Sequence, residues 1–133
     1  MIEYREGNQI DAAALAALYS RSGLRRPVDD LPRIARMYEH ANLVFSAWDG
    51  SRLVGVARSW SDFAWVTYLA DLAVDAEYQR LGLGRELIRR TLDRAPGTDC
   101  VLRSSVVATD YYPHLGFRKV ENGWYWPGRE KNK

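Results

Sequence analysis

The densest chemistry in this chain lies in Gln79-Arg80-Leu81-Gly82-Leu83-Gly84-Arg85, a short stretch between an apolar run and an amphipathic one. Glycines at i and i+2 let a backbone approach a ligand closely and turn its N–H groups toward it. A helix that starts there adds the positive end of its dipole. Arg80 and Arg85 add full charges. These are the parts of a pyrophosphate cradle. Two better-known phosphate loops do not fit the letters. A dinucleotide fingerprint needs a third glycine where Leu87 stands, and repeated strand–helix–strand halves that the chain lacks. A P-loop ends in Gly-Lys-Ser/Thr, whereas Gly84-Arg85-Glu86 stands here.

Elements on both sides must aim that stretch. Trp65 to Val74 reads as a strand, and its wholly apolar end, Leu72-Ala73-Val74, predicts burial on both faces. Asp75 to Tyr78 is a loop. A helix follows from about Gly82 to Arg94, with Leu83, Leu87, Ile88, Thr91 and Leu92 inward, and Pro96-Gly97 stops it. Cys100 to Ser105 is the next strand, so Tyr68 to Ser105 forms a strand–helix–strand unit whose strands are parallel neighbours.

Upstream, Ile2 to Arg5 reads as a first strand. Asp11 caps a helix reaching about Arg21, with Leu15, Leu18 and Tyr19 on its apolar face and Gly23 at its end. After Arg25-Arg26-Pro27, Asp29 or Asp30 caps a second helix with Pro32 in its first turn and Ile34, Met37, Tyr38 and Ala41 as its stripe. Leu43 to Trp48 and Leu53 to Trp60 are strands joined at Asp49-Gly50. Downstream come a short helix near Thr109 to Leu115 and strands at Phe117 to Val120 and Trp124 to Trp126, around an Asn122-Gly123 turn. The class is α+β: a mixed, mostly antiparallel central sheet of about seven strands flanked by about four helices.

A chain of 133 residues is expected to form one domain, 1–133, and buries roughly two-thirds of its unfolded surface. With 47% hydrophobic and 27% charged residues it is neither a disordered tail nor a disulfide scaffold. A net charge of +2 gives no electrostatic footprint for nucleic acid or an anionic membrane. One cysteine, Cys100, and two histidines build no internal disulfide and no recurring zinc pattern, so no metal is expected. No apolar run reaches the roughly 18 residues of a membrane span, and the charged start has no signal-peptide core. A reducing cytoplasm is the expected compartment.

Gln79-Arg80-Leu81-Gly82-Leu83-Gly84, preceded by Leu72-Ala73-Val74-Asp75, resembles the Gln/Arg-x-x-Gly-x-Gly/Ala signature of the GNAT superfamily of acyl-CoA N-acyltransferases. Downstream, Ala108-Thr109-Asp110-Tyr111-Tyr112-Pro113-His114-Leu115-Gly116-Phe117 is similar to that family's Ala-x-x-Phe-Tyr-x-x-x-Gly-Phe segment. The order of elements matches over nearly the whole chain. The resemblance implies acetyl transfer from acetyl-CoA to a primary amine by direct attack in a ternary complex. Leu72, Ala73 and Val74 would pair through their backbones with the pantetheine arm, in a splayed gap beside the Cys100 strand. The N–H groups from Gln79 to Gly84, with Arg80 and Arg85, would hold the pyrophosphate. Tyr112 matches the tyrosine that protonates the leaving thiolate. The alternative is a non-catalytic acyl-CoA-binding sensor or accessory module on the same fold.

The general base is less well marked. Tyr68-Leu69-Ala70-Asp71-Leu72 resembles the Tyr-Leu-Glu-Asp-Phe stretch of spermidine/spermine N-acetyltransferases, with Ala70 where those enzymes carry glutamate. Asp71 is left as the candidate base, beside a structural role for it and beside a water held by backbone carbonyls and a carboxylate. Pro113 has no N–H and forces the helix carrying Tyr112 to start late or distort. Trp60, Trp65, Trp124 and Trp126 are candidates for an acceptor pocket, for the core or for a dimer contact. Arg21, Arg25 and Arg26 either greet an acidic acceptor or form a solvated face. His114 reads as a surface histidine and Cys100 as a small buried hydrophobe. The family often dimerises, which leaves a homodimer open, with the aromatic C-terminal strand as a candidate shared edge.

Overall fold

The structure, a computed structural model, describes residues 1–105 and 110–129. Its contacts cluster into two units, Met1–Arg103 and a second beginning at Ser104. In the first, strand β1 (Ile2–Glu6) leads to helix α1 (Ala12–Ser22), where the Asp11 carboxylate accepts the Ala14 N–H at 3.2 Å. Gly23 ends α1 at φ +83°, a left-handed value that a side chain would strain. Of the two candidate caps for helix α2 (Leu31–Glu39), Asp30 does the work, accepting the Arg33 N–H at 3.2 Å, with Pro32 in the first turn. The far end of α2 is tied down by Asn8, whose amide donates to Tyr38 O at 2.8 Å and Ala41 O at 3.2 Å.

Strands β2 (Leu43–Asp49), β3 (Arg52–Ser61), β4 (Val66–Val74) and β5 (Asp99–Leu102) complete a five-stranded sheet in the spatial order β1-β2-β3-β4-β5. All pairings are antiparallel except β4–β5, which is parallel across the connecting helix α3 (Leu83–Arg94), as the strand–helix–strand reading requires. Successive residues on β3 face opposite sides. Val56 joins Leu15, Leu18, Tyr19, Ile34 and Tyr38 in a core under α1 and α2. Gly55 faces α3, where a Cβ would lie 3.1 Å from Leu87 Cδ1. Glycine at this point lets α3 lie close to the sheet.

Several sequence expectations are corrected. Leu92 is exposed, one helical position round from the buried face of α3 that Leu83, Leu87, Ile88 and Thr91 form. Asp75 to Tyr78 is not open loop: Asp75 accepts the Glu77 N–H at 3.0 Å and starts a 3₁₀ turn over Ala76–Tyr78. In the second unit, Tyr112–Leu115 is a 3₁₀ turn and not an α-helix, closed after a single turn by Gly116 at φ +97°; Ala108 and Thr109 lie outside the described residues. Neither Phe117 to Val120 nor Trp124 to Trp126 is a strand. Both segments are short, and Arg118-Lys119 breaks the alternation of the first. Among the described residues the sheet therefore has five strands and the α-helices number three, not about seven and about four. No described helix is long and apolar enough to cross a membrane.

One buried group in the first unit is unsatisfied. Ser59, fully buried on β3, has a hydroxyl with no protein partner. A buried, unpaired hydroxyl carries a penalty of roughly 1–3 kcal/mol. Ser59→Ala is therefore expected to leave the thermal midpoint unchanged or raise it, as followed by circular dichroism, unlike most core truncations.

Candidate active site

The two edges of β4 are treated differently along its length. Over Thr67–Leu69 it is paired on both sides, to β3 and to Cys100–Leu102 of β5. From Asp71 to Val74 it is paired to β3, and among the described residues no strand pairs with its other edge there, β5 having ended at Leu102. Leu72 and Val74 are consequently half-buried, against the expectation of burial on both faces; Ala73 alone of the three is buried. The change falls at an irregularity in the β3–β4 ladder. Arg58 pairs with Asp71 and Ser59 with Leu69, so Ala70 has no register partner on β3. Such a bulge bends and twists its strand locally.

The open half of β4 runs directly into the glycine stretch. Gln79 donates its side-chain amide to Val74 O at 3.1 Å and pins the loop to the strand end. Arg80 and Gly82 both have positive φ, +69° and +87°. For a residue as large as arginine this is a strained conformation that its surroundings must sustain. α3 begins at Leu83 with no side-chain cap, so no side chain competes for its first N–H groups. An ideal Cβ at Gly82 meets nothing within 4 Å: the glycine answers to backbone conformation, and open space lies before it. Leu81 and Arg85 are exposed, Gly84 is half-buried and the Leu83 side chain enters the core. Open backbone, uncapped helix start and two arginines fit a diphosphate joined to an extended arm.

Beneath the bulge lies a buried ionic cluster. Asp71 Oδ2 accepts from Tyr19 Oη at 2.7 Å and from Arg58 Nε at 2.6 Å. Its Oδ1 accepts from Arg26 Nε at 2.7 Å and from a second Arg26 nitrogen. Tyr19 also shares a 2.6 Å hydrogen bond with Tyr38. Burial pushes the Asp71 carboxyl up, but Arg58 and Arg26 more than offset it and hold the group below the usual carboxylate range. Burial raises both tyrosine hydroxyls well above their ordinary value, so they stay protonated. The Arg58 guanidinium also stacks over Trp60 at 4.8 Å and Tyr38 at 5.6 Å.

A second buried carboxylate marks the end of β4. Asp75 Oδ2 accepts from Arg21 Nε at 2.5 Å and Arg52 at 2.8 Å. Burial raises this carboxyl too, and the Glu77 N–H with the two guanidiniums more than offsets it. Arg21 also donates to Leu53 O at 3.1 Å, so α1, β3 and the strand end share one anchor.

The structure thus gathers Leu72, Ala73, Val74 and Gln79–Arg85 along one continuous path. It gives Asp71 an occupation other than that of a free base: both oxygens already accept from cations or a hydroxyl. Arg21 and Arg26 are engaged by Asp75 and Asp71, which weakens the idea of a basic loop awaiting an acidic acceptor; Arg25 is exposed. Tyr112 lies in the second unit, half-buried, its ring edge-on to Tyr111 at 5.3 Å and Phe117 at 5.6 Å. His114 is exposed. Burial pushes the Cys100 thiol up to about 11, away from nucleophilic use. Trp60 donates to His40 O beside the ionic cluster, whereas Trp65, Trp124 and Trp126 are exposed. Sequence reasoning passed over Tyr19, Arg26 and Arg58 as partners of Asp71. One signal was available for Arg58, a charge in the middle of an apolar strand.

Comparison with known proteins agrees with this geometry. The family model for the acetyltransferase (GNAT) domain matches residues 5–126, and the chain belongs to that family. A probable acetyltransferase of Glycine max is 31% identical over 144 aligned positions that cover 93% of this chain. The chain spans only 56% of that relative's length. A probable acetyltransferase of Staphylococcus aureus shares the fold at 21% identity, with a TM-score of 0.79 over 95% of this chain and 98% of that one. A predicted acetyltransferase of Clostridium acetobutylicum, solved with acetyl-CoA, has a TM-score of 0.75 at 15% identity over 95% and 96% of the two chains.

The ionic cluster makes a test of stability. Asp71→Asn leaves Arg58 buried with its counter-charge removed, a change that typically destabilises by roughly 3–5 kcal/mol. Because the folded pKa of Asp71 is depressed, its contribution is present above the unfolded value, about 4, and is lost as pH falls through the folded value. Wild-type stability, measured by urea denaturation, is expected to fall steeply below about pH 4. The variant is expected to be weaker at pH 7 with a shallower acid limb.

Proposed function

We propose that this chain transfers the acetyl group of acetyl-CoA to a primary amine, by direct attack in a ternary complex. The observation that carries the reading is the open half of β4, Ala70–Val74, running straight into the uncapped start of α3. Family membership and the acetyl-CoA found in the Clostridium acetobutylicum neighbour support it. Acetyl-CoA supplies an activated acyl group as a thioester. Leu72, Ala73 and Val74 offer it backbone N–H and C=O groups, as an added strand would. The N–H groups of Gln79–Gly84, with Arg80, Arg85 and the α3 dipole, hold its diphosphate. A backbone N–H of β4 receives the negative charge that develops on the carbonyl oxygen. As the C–S bond breaks, Tyr112 donates a proton to the departing sulfur; the attacking nitrogen releases its surplus proton to solvent, and solvent returns one to the phenolate.

Asp71 does not take the amine's proton in this account. A carboxylate held below the usual range by two guanidiniums is a weak base, and its lone pairs are in use. The ammonium loses its proton to water before attack. A primary amine has a pKa of about 10, so its reactive fraction grows about tenfold per pH unit below that value. The acceptor's kcat/KM is expected to rise with that slope from pH 6.5 to 9, with no break from a carboxylate.

The direct assay is release of free CoA thiol from acetyl-CoA across amines, amino acids and short peptides. Acceptor-dependent release is expected, with Tyr112→Phe slowed by roughly 100-fold or more. Gly82→Trp is expected to abolish the melting shift that acetyl-CoA gives the wild type. Acetyl-CoA binding without release on any acceptor would replace this reading with the non-catalytic module. An unchanged shift in Gly82→Trp would remove the cradle.

A further inference from the structure

We propose that Arg26 is a positioning residue: it clamps the β4 bulge from the loop between α1 and α2 and so sets the geometry of the reacting strand. Arg26 lies on the connection between Gly23 and Asp30, outside every helix and strand. Its guanidinium nevertheless reaches β4 at two adjacent residues. One nitrogen donates to the Ala70 carbonyl at 3.3 Å, and Nε donates to Asp71 Oδ1 at 2.7 Å. Another nitrogen holds its own loop, donating to Arg25 O at 2.5 Å. The residue gripped through its carbonyl, Ala70, is the one left without a register partner on β3.

A bulge carries an unpaired residue whose peptide planes the ladder does not fix. Here a fork of planar donors fixes them from outside. Arginine suits the task because its donors are rigidly spaced, which an ammonium on a flexible stem cannot imitate. Arg58 holds the other Asp71 oxygen from β3, so Asp71 is fixed on both sides of the bulge. Two guanidiniums against one carboxylate leave the cluster with a surplus positive charge, which keeps Asp71 ionised. The consequence for turnover rests on the acetyl-transfer reading, because the bulge falls where β5 leaves β4, at the slot assigned to the thioester. Loop and strand then act as one piece, and a shift of the loop is felt at the peptide groups of Ala70 to Leu72.

The test uses the full chain with Arg26→Ala, Arg26→Lys and, as control, Arg25→Ala. Hydrogen exchange in the free protein reads the clamp without any need for turnover. The amides of Ala70 to Leu72 are expected to exchange at least tenfold faster in both Arg26 variants and at the wild-type rate in Arg25→Ala. CoA release with the best amine of the panel reads the consequence. The expectation is a fall in kcat of the order of 10- to 100-fold, with the KM for acetyl-CoA within about twofold. Arg26 is partly exposed, so millimolar guanidinium chloride is expected to recover part of the Arg26→Ala rate and none of the Arg26→Lys rate. A purely structural role would lower the melting temperature without rescue. Arg26→Lys, which keeps the charge, guards against a variant that simply fails to fold. Unaltered exchange at Ala70 to Leu72, or an unaltered kcat, would overturn the clamp. A wild type that turns over no amine would instead overturn the acetyl-transfer reading, and exchange would still decide the clamp.

Discussion

A carboxylate taken out of water beneath a sheet must be neutralised where it lies, and Asp71 is neutralised by guanidiniums arriving from two directions. Arg58 comes from the neighbouring strand and Arg26 from a loop; Tyr19 and Tyr38 bring in α1 and α2. A buried ion cluster of this kind is weak evidence for stability, since an apolar replacement is often as stable. What it gives is a fixed arrangement. Elements that touch Asp71 cannot slide along β4 without stranding a charge. Asp75 repeats the device at the strand's end, through Arg21 and Arg52. The strand is thus held at two points on either side of Leu72-Ala73-Val74.

That restraint explains how a strand can be open on one edge and still well placed. β5 leaves β4 after Leu69, and an exposed row of backbone groups is ordinarily a liability. In a catalytic or binding slot the same groups are the working surface, provided that they do not move. Apolar packing of Ala73 against the α1–α2 core and the two ionic anchors supply the rigidity. The end proposed for the diphosphate is built differently. There the chain uses left-handed backbone at Arg80 and Gly82, open space beside Gly82, and a start of α3 that no side chain caps. One end of the path is therefore built from a strand edge and the other from a helix start.

The sequence is most legible where the chemistry is local. Asp11, Asp30, Gly23 and Pro32 announce helix ends through groups a few residues away, and the structure uses each of them. The glycine stretch is legible because only certain residues permit its backbone. The parallel β4–β5 pairing follows from the handedness of a crossover. Long-range side-chain contacts are not written in any periodicity. Asp71 meets partners 52, 45 and 13 residues away, and nothing local to Tyr19 or Arg26 points to them. Asp71 stands as a candidate base through the resemblance carried by Tyr68 to Leu72, and its ionic partners become visible only in the fold. The segments after Gly116 read as strands around the Asn122-Gly123 turn signal, and such a dipeptide marks a reversal of the chain without fixing a ladder on either side of it.

Acetyl-CoA binding should be visible as a local protection pattern along the proposed path. Amide hydrogen exchange with and without acetyl-CoA, resolved by residue, measures it directly. The account predicts slowed exchange at Leu72 to Val74 and at Leu81 to Gly84, with little change on β1 and β2. Protection confined to other segments, or none at saturating acetyl-CoA, would contradict it.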